Sequence, residues 1–493
     1  MTLETVADRR LHPATFLTGA LKQLPQYALG LPAAVGFMSE SGLDTILLLA
    51  LGGILAAAAG AWLHWRRFRY GLGAREIVIE SGILHRKRRV IPFDRIQDID
   101  IEQGLLARAF GMAKVRIETG GSAKDEGNLD SVALDEAHRL RELLRRGARG
   151  EVHEGPWGAA ALPAEDEPLI FHMPLGRVLL AGLFNFSLVF LAVIFGALEY
   201  AEPVLGVDPL KMEWIEPARA LAAQATWGVT ALGLAFLLVL GLIAGVLRTL
   251  ARDFRFRLTR STAGLRRRRG LFTLTEAVVP LRRVQVSIIR SGAVARLFGW
   301  HGLEFQTLNA DAGQAGNQVA VPFGRMDELT RVLREVRPAP LPEDSAFVRV
   351  SKRHILRQSI RWTAFLILPI AAAAVFFPPA ALLLLALPLA AGAAALQWKH
   401  HRYCVAADAL YVRHGFLTRR LWIIPFERIQ TLAMDQGPLQ RRLGLASLTA
   451  DTAGASLLRM PVIANLPAEI AAALAAALLT RHKAARARLK LAA

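Results

Sequence analysis

The sequence predicts an α+β membrane protein, in which six transmembrane helices form three hairpins and each hairpin is followed by a small antiparallel β module with a C-terminal helix. Three observations predict this architecture. The chain has 493 residues, of which 53% are hydrophobic, yet its 60 Lys and Arg against 41 Asp and Glu give a net charge of +19. Long apolar segments recur in pairs between basic flanks, and one spaced pattern recurs directly behind each pair. Apolar and basic character together indicate a membrane protein with large polar parts on the positive side of the bilayer.

The repeated pattern is G-x9-P-x2-R-x-Q-x6-G-x3-R-x2-G. It occurs three times with identical spacing, as Gly82, Pro92, Arg95, Gln97, Gly104, Arg108 and Gly111, as Gly270, Pro280, Arg283, Gln285, Gly292, Arg296 and Gly299, and as Gly415, Pro425, Arg428, Gln430, Gly437, Arg441 and Gly444. Such a fixed pattern indicates a tandem array of one structural unit. We interpret it as encoding the fold. Its glycines suit turns, its prolines suit a strand start or a bulge, and its first arginine and its glutamine alternate along one strand face.

Six apolar segments are candidates for membrane spans. A helix needs about 20 mostly apolar residues to cross the bilayer core. Five segments reach or approach this length, and the first is interrupted by Lys22, Gln23 and Gln26. We expect the first segment to be retained rather than cleaved as a signal peptide. In chain order the segments are residues 16–37, 43–62, 178–198, 227–247, 363–377 and 380–396.

The charges that flank these segments predict their orientation. Arginine and lysine are concentrated before the first segment of each pair and after the second, whereas the loop at 199–224 carries more acidic than basic residues. Because cytoplasmic loops carry the excess of Lys and Arg, both termini and all three modules are expected in the cytoplasm. The flanking charges therefore predict a multi-pass membrane protein.

The predicted domain boundaries follow from the alternation of apolar segments and modules. Within each module, strands with a period of two residues are broken by glycine turns and followed by one helix. The boundaries are 1–66 for the N-terminal segment and first hairpin, 67–147 for the first module, 148–174 for a linker, 175–250 for the second hairpin, 251–338 for the second module, 339–361 for a linker, 362–398 for the third hairpin, 399–484 for the third module and 485–493 for a basic tail.

Catalytic chemistry is not predicted. The chain lacks a phosphate-binding loop sequence, an H-E-x-x-H sequence and a G-x-S-x-G sequence. The single cysteine, Cys404, excludes an internal disulfide and a multi-cysteine zinc site, and we expect it to be packed in a strand. His400 and His401 adjoin an apolar segment and are interpreted as part of its basic flank. We therefore expect no catalytic residues, no metal, no cofactor and no enzymatic activity.

Basic residues around the first glycine of each repeat are the candidate binding residues. They are Arg86, Lys87, Arg88 and Arg89 in the first module, Arg266, Arg267, Arg268 and Arg269 in the second, and Arg413, Arg419 and Arg420 in the third. At an anionic leaflet each such charge contributes about 1 kcal/mol, screened by salt. We interpret them as contacts for anionic lipid head groups or for a partner, and the alternative is that they are solvated faces. Nucleic acid is not expected, because aromatic residues do not interleave with the basic ones.

Two apolar segments followed by G-x9-P-x2-R-[IV]-Q and a later R-x2-G resemble the bacterial PH-like domain membrane proteins of the YdbS/YdbT family. Three tandem copies and the start Arg10-Leu11-His12-Pro13 resemble the longer YdbT type, and only Val284 departs, in place of isoleucine. The resemblance implies PH-like β modules, each capped by a helix, at the cytoplasmic membrane. It implies no established activity or ligand, since the family is uncharacterised.

Three functional hypotheses follow. The first is a non-enzymatic membrane protein whose modules dock anionic lipid or a membrane protein partner, such as a YdbS-like protein, in envelope homeostasis or in stress or antimicrobial resistance. The second is a transporter or lipid-handling protein with the modules as gates. The third is a membrane assembly scaffold that self-associates or recruits a neighbour.

Overall fold

A computed structural model of the chain describes fourteen stretches, which form helices and antiparallel sheets. The described residues are 8–13, 15, 43–73, 75–82, 85–119, 127–148, 167–185, 227–262, 264–307, 317–337, 339–376, 382–385, 387–454 and 460–492. They divide into two compact units, the first built from Met1–Thr262 and Arg266–Val278 and the second from Ala263–Leu265 and Val279–Ala493. The predicted α+β class is confirmed.

The strands of the described residues are numbered in chain order. They are β1 Arg9–Arg10, β2 Arg69–Leu72, β3 Glu76–Ser81, β4 Lys87–Pro92, β5 Ile96–Gln103, β6 Met112–Thr119, β7 Gly127–Ala133, β8 Leu169–His172, β9 Arg257–Ser261, β10 Gly264–Arg269, β11 Leu274–Val279, β12 Val284–Gly292, β13 His301–Thr307, β14 Asn317–Gly324, β15 Val348–Arg349, β16 Arg402–Val405, β17 Ala409–His414, β18 Thr418–Pro425, β19 Ile429–Asp435, β20 Leu445–Thr452 and β21 Val462–Pro467.

The α-helices are numbered in the same way. They are α1 Leu43–Arg67, α2 Leu105–Ala109, α3 Leu134–Ala148, α4 Leu175–Phe184, α5 Trp227–Asp253, α6 Ala293–Leu297, α7 Met326–Val336, α8 Arg353–Phe376, α9 Leu387–His400, α10 Pro438–Arg442 and α11 Ala468–Ala492. Within each repeat a short helix (α2, α6 or α10) follows the fifth pattern residue, and a longer helix (α3, α7 or α11) ends the module. The predicted C-terminal helices are present in all three modules.

Three of the described helices are long and apolar enough to cross a membrane by length and composition. They are Ala231–Asp253, Arg353–Val375 and Leu382–His400. Helix α1 covers the predicted segment 43–62 over 25 residues, and α4 covers the start of the segment 178–198. The segment 16–37 and most of 178–198 lie outside the described residues. Apolar helices are therefore present in each predicted hairpin, and the count of six spans stays a prediction.

The sheets are shared between consecutive modules. The first unit contains a sheet of order β1-β2-β3-β4 and a seven-stranded sheet of order β7-β6-β5-β11-β10-β9-β8. The second unit contains a seven-stranded sheet of order β14-β13-β12-β18-β17-β16-β15 and a sheet of order β19-β20-β21. Strand β5 of the first module thus pairs with β11 of the second, and β12 of the second pairs with β18 of the third. We call these two pairings the module junctions. They cross the predicted domain boundaries, which themselves stay predictions.

The two module junctions have the same register. Gln103, just before Gly104, lies opposite Leu274, four residues after Gly270. Ser291, just before Gly292, lies opposite Arg419, four residues after Gly415. Both pairings are antiparallel, and the three pairs of the first junction all have counterparts in the second, down to Glu276 opposite Ile101 and Leu421 opposite Ile289. A strand of the repeat therefore joins the next repeat in one defined way.

The core of the first module is formed by strands of its two sheets and by helix α3. Ile77 and Ile79 of β3 and Ile99 of β5 alternate towards this core, and α3 adds Leu140 and Leu144. Ile77, Leu140 and Leu144 are fully buried. The third module repeats this plan with Trp422 of β18 and Leu478 of α11, among others. Cys404 is buried in β16, as expected. Burial of such apolar side chains is the main favourable contribution to folding.

The pattern glycines form turns, as predicted, but the prolines, the arginine and the glutamine depart from the prediction. Gly82, Gly270 and Gly415, hereafter the hairpin glycines, have φ of +108°, +120° and +97°. Gly111, Gly299 and Gly444 follow the short helices with φ near +65°, at +63°, +71° and +64°, as left-handed caps. The predicted position of the prolines at a strand start or a bulge is wrong: each ends a strand, or follows it directly, and leads into a 3-10 turn.

The predicted alternation of the arginine and the glutamine along one strand face is wrong. Arg95, Arg283 and Arg428 are each the last residue of a 3-10 turn. The register shifts between Ile96 and Asp98, between Val284 and Val286 and between Ile429 and Thr431, so each intervening glutamine lies at a β-bulge. The proline fixes the start of the turn, and the extra bulge residue then restores the ladder.

Candidate anion-binding surfaces

The basic hairpin of the first module lies beside the end of an apolar helix. Six cationic side chains and one carboxylate line a concave surface of about 380 Å³, which we call the first basic surface. Its lining residues are Arg66, Arg67, Arg69, Glu80, Ser81, Gly82, Arg86, Lys87 and Arg88. Three of the four predicted residues of this module, Arg86, Lys87 and Arg88, are therefore brought together at one surface, and Arg66, Arg67 and Arg69 join them. The fourth, Arg89, is exposed but is not among the lining residues.

Local structure explains why these residues meet. Helix α1 ends at Arg67, and the chain continues directly into β2, which pairs with β3 so that Arg69 lies opposite Glu80. The indole Nε1 of Trp65 donates a hydrogen bond to the Leu11 carbonyl at 2.9 Å, which holds the helix end against the module. Cations at a helix C-terminus are favoured by the helix dipole. The hairpin and the helix end thus form one electropositive surface.

In the second module most of the predicted arginines are turned inwards. Arg266 pairs with Glu167 at 3.0 Å, Arg269 pairs with Asp253 at 3.0 Å, and Arg267 is buried. Burial and the charge of Arg267 lower the pKa of Arg269 to about 10, although Asp253 opposes this shift. These three arginines stabilise the module rather than face solvent.

Arg268 is the exposed member of this run, and it belongs to a second concave surface. This surface, of about 720 Å³, lies between the start of α4 and the end of α5, and we call it the second basic surface. Its lining residues are Arg108, His172, Met173, Pro174, Leu175, Phe254, Arg255, Phe256, Arg257, Arg268, Gly270 and Leu274. Four arginines are present and no carboxylate is among these residues. As in the first module, cations converge beside apolar helices.

A neighbouring cavity of about 490 Å³ has a different electrostatic character. Glu167 and Glu276 line it together with His138 and several arginines. Arg141 of α3 pairs with Glu276 at 2.6 Å, and both side chains are buried. Burial alone would raise the pKa of Glu276, but the charge of Arg141 and its hydrogen bond hold this pKa below its ordinary value. This charge-balanced cavity is a weak candidate for binding anions.

The third module also places its basic residues in several environments. Arg413 pairs with Asp344 at 3.0 Å and stacks on Phe347. Arg419 contacts His400, and burial together with the nearby Arg296 lowers its pKa. Arg420 is half-buried and interacts with other groups. Among the described residues, these three arginines therefore have different surroundings, unlike the basic residues of the first module.

The sequence does not predict a binding role for the arginines of the short helices. These are Arg108, Arg296 and Arg441, which we call the short-helix arginines. Arg108 of the first module lines the second basic surface, as does Gly270, the hairpin glycine of the second module. Arg296 of the second module donates a hydrogen bond to the carbonyl of Phe416, directly after the hairpin glycine of the third. These residues come together only because consecutive modules share a sheet, and no signal in the sequence indicated this sharing.

A cluster of neutral histidines lies in the third module. The His401 and His414 rings lie 6.2 Å apart, and the indole Nε1 of Trp422 donates to His414 Nε2 at 3.1 Å. Burial, with the neighbouring His354 and His414, lowers the pKa of His401 to about 3. Burial, with the charge of Arg420, lowers the pKa of His414 to about 4. The described residues contain no group of three or more potential metal ligands.

These histidines predict a loss of stability in acid. An unfolded histidine has a pKa of about 6.5, so below this pH the unfolded state binds more protons than the folded state does. The contribution to stability is present above pH 6.5 and decreases as the pH falls towards 4. We expect the thermal midpoint in detergent to fall over this range, and less steeply in His414→Gln, whose side chain can still accept from Trp422. The exposed His85→Gln is the control, and equal pH slopes in all three proteins would contradict the prediction.

Repeated modules of antiparallel strands and a closing helix, attached to apolar helices and carrying basic surfaces at the helix ends, define a membrane protein of tandem PH-like domains. The Bacterial PH domain family model matches residues 23–148, 203–339 and 363–482, and the chain belongs to this family. The resemblance inferred from the sequence is thus confirmed.

Two relatives from Bacillus subtilis (strain 168) are both named as transmembrane proteins. The chain is 24% identical to transmembrane protein YdbT over 431 residues, which cover 84% of this chain and 85% of YdbT. It is 31% identical to transmembrane protein YdbS over 99 residues, which cover 20% of this chain and 60% of YdbS. No solved structure matches the chain.

Proposed function

We propose that this protein is a non-enzymatic protein of the cytoplasmic membrane that docks anionic lipid head groups on its PH-like modules. In this proposal six spans anchor the chain and the modules face the cytoplasm, where the flanking charges predict them. The observation that carries the proposal is the first basic surface, where six cations and one carboxylate meet at the end of an apolar helix.

The chemistry of this surface suits a phosphodiester. Arginine presents a planar set of donors that matches phosphate oxygens, and such charge-assisted hydrogen bonds are stronger than neutral ones. Arg66 and Arg67 occupy the last turn of α1, which is where an interfacial head group would lie if α1 spans the bilayer. Trp62, one turn earlier, contacts Arg66 and has the amphipathic character of residues at a membrane interface.

The second basic surface supports the same function in the next module. It also lies at the ends of apolar helices, α4 and α5, and unlike the first basic surface it has no carboxylate among its lining residues. Its volume leaves room for a lipid head group. Two consecutive modules with the same relation of cations to helix ends favour a repeated lipid contact over a solvated face.

We expect the double variant Arg69→Gln with Arg86→Gln to weaken phosphatidylglycerol binding. Each charge lost at an anionic lipid costs about 1 kcal/mol, so two should cost about 2 kcal/mol, or roughly 30-fold in the dissociation constant. Both side chains are exposed and line the first basic surface. The measurement is a native mass spectrometry titration of the full chain in detergent with phosphatidylglycerol.

The matched control is Arg331→Gln with Arg334→Gln, which removes the same charge from exposed positions on helix α7. This control should bind phosphatidylglycerol as the wild type does. Phosphatidylcholine should bind all three proteins equally weakly, and the phosphatidylglycerol affinity should fall as salt is raised. Equal affinities for phosphatidylglycerol in the wild type and in both double variants would refute the proposed docking at this surface.

A further inference from the structure

Among the edge strands of the described residues, two belong to strand positions that are paired on both sides elsewhere in the repeated array. Strand β4 of the first module pairs with β3 alone, and β19 of the third module pairs with β20 alone. Their counterparts in the array do pair on both sides: β11 and β18 correspond to β4, and β5 and β12 correspond to β19. One copy of each half of a module junction is therefore unpaired among the described residues.

Side-chain exposure identifies these edges as the halves of an uncompleted junction. Val90 of β4 is 45% exposed, whereas the residues at the same repeat position, Val278 and Ile423, are each 1% exposed. Met434 of β19 is 48% exposed, whereas its counterparts Ile101 and Ile289 are 2% and 4% exposed. An apolar residue at these positions is buried wherever the neighbouring module is present.

We propose that a second copy of this chain completes the junction, with its β4 edge pairing antiparallel to the β19 edge of the first copy. The register follows from the two junctions within the chain, which match residue for residue. Transferred to the free edges, it puts Gln436 opposite Arg86, Asp435 opposite Lys87, Met434 opposite Arg88 and Leu432 opposite Val90. Pairing of this kind joins backbone groups across a sheet edge and buries alternate side chains.

The charged side chains of β4 do not exclude this pairing. Lysine and arginine on an edge strand often protect it from association. Within this chain, however, β18 carries Arg419 and Arg420 at the corresponding positions and still pairs with β12. On the other side, Asp435 is exposed and would face Lys87, which is a favourable cross-strand combination.

The short-helix arginines give an independent reason for the same partner. Arg108 lines the same surface as the hairpin glycine of the following module, and Arg296 donates to the carbonyl directly after the next hairpin glycine. Arg441 of the third module is exposed. In the proposed pairing Arg441 would lie beside Gly82 of the second copy and extend its first basic surface.

A second copy is the occupant that the two edges specify together. Both halves of the junction belong to one polypeptide, so each copy offers the edge that the next one needs. Such a head-to-tail contact is heterologous and produces a ring or an open chain of copies in the membrane. A single-module relative could pair with one of the two edges. It would not explain why this chain carries both complementary edges.

The test is disulfide cross-linking between two differently tagged full-length chains in native membranes, with Cys404→Ala in both. One chain carries Met434→Cys and the other Arg88→Cys, so only a contact between copies links the two tags. We expect a disulfide-linked pair, because opposite residues of adjacent antiparallel strands lie within disulfide range. The control pairs Met434→Cys with Val90→Cys, which is two residues out of register and should link several-fold less.

Cross-linking at control level, or linkage of Met434→Cys only to a different protein, would overturn the proposal. A second readout is the particle mass of the chain in mild detergent. Met434→Lys, which would face Arg88, should shift the particles towards single chains, and Met434→Glu at the same exposed position should keep them associated. A wild-type chain that remains single at all concentrations, or equal masses for both variants, would also overturn it. Neither readout depends on lipid binding.

Discussion

Replacing Glu276 by alanine should destabilise the first unit by about 3 to 5 kcal/mol. Removing one partner of a buried ion pair leaves the other charge without compensation in a low-dielectric environment. Arg141 and Glu276 lie 2.6 Å apart, with side-chain exposures of 3% and 11%. The pair also joins α3 of the first module to β11 of the second, so its loss should destabilise the module junction as well. The measurement is the free energy of unfolding in detergent from denaturant titration.

The double variant Arg141→Met with Glu276→Leu separates the charge effect from the loss of packing. Replacing both members of a buried ion pair by apolar residues of similar size is often close to neutral. We therefore expect most of the stability lost in Glu276→Ala to return. A double variant that is as unstable as Glu276→Ala would show that the ion pair itself is not the source of the effect.

Substitution of Gly270 by alanine should be the most damaging single change to the second module's hairpin. Gly270 has φ of +120°, and a Cβ there would lie 1.9 Å from the carbonyl oxygen of Thr273. The left-handed region alone costs about 1 to 2 kcal/mol, and the contact with the backbone must add to it. We expect a loss of more than about 2 kcal/mol in the free energy of unfolding.

Gly292→Ala is the matched control for Gly270→Ala. Gly292 belongs to the same repeat, but its φ is −68° and a Cβ there would meet nothing within 4 Å. It precedes the short helix α6, where alanine is a poorer N-cap than glycine, so we expect a cost below about 1 kcal/mol. Equal losses in both variants would contradict the assignment of Gly270 to a turn that only glycine fits.

Much of the fold could be predicted from local features of the sequence. The period of two residues in strands such as Glu76–Ser81 and the glycines at fixed offsets are local signals, and the structure contains the turns that they predict. The clustering of Arg86, Lys87 and Arg88 was predicted for the same reason, since they follow one another in a single hairpin.

What could not be predicted depends on contacts between distant residues. The sequence alone gave no reason to pair β5 with β11 rather than with a strand of its own module. That pairing decides which arginines face solvent, because it places Glu276 beside Arg141 and leaves Arg266 between Glu276 and Glu167. The three hairpins are equally basic in the sequence. In the structure, some of their arginines line the two basic surfaces of the first two modules, and others form ion pairs.

The most direct test of the proposed lipid docking locates the head groups on the full chain in a bilayer. With photoreactive phosphatidylglycerol in nanodiscs, peptide mapping should find adducts at residues 66–69 and 86–88, which line the first basic surface, and at 254–257 and 268, which line the second. Excess unlabelled phosphatidylglycerol should compete, and phosphatidylcholine should not. Adducts confined to the apolar helices, or an identical map with a phosphatidylcholine probe, would contradict the account.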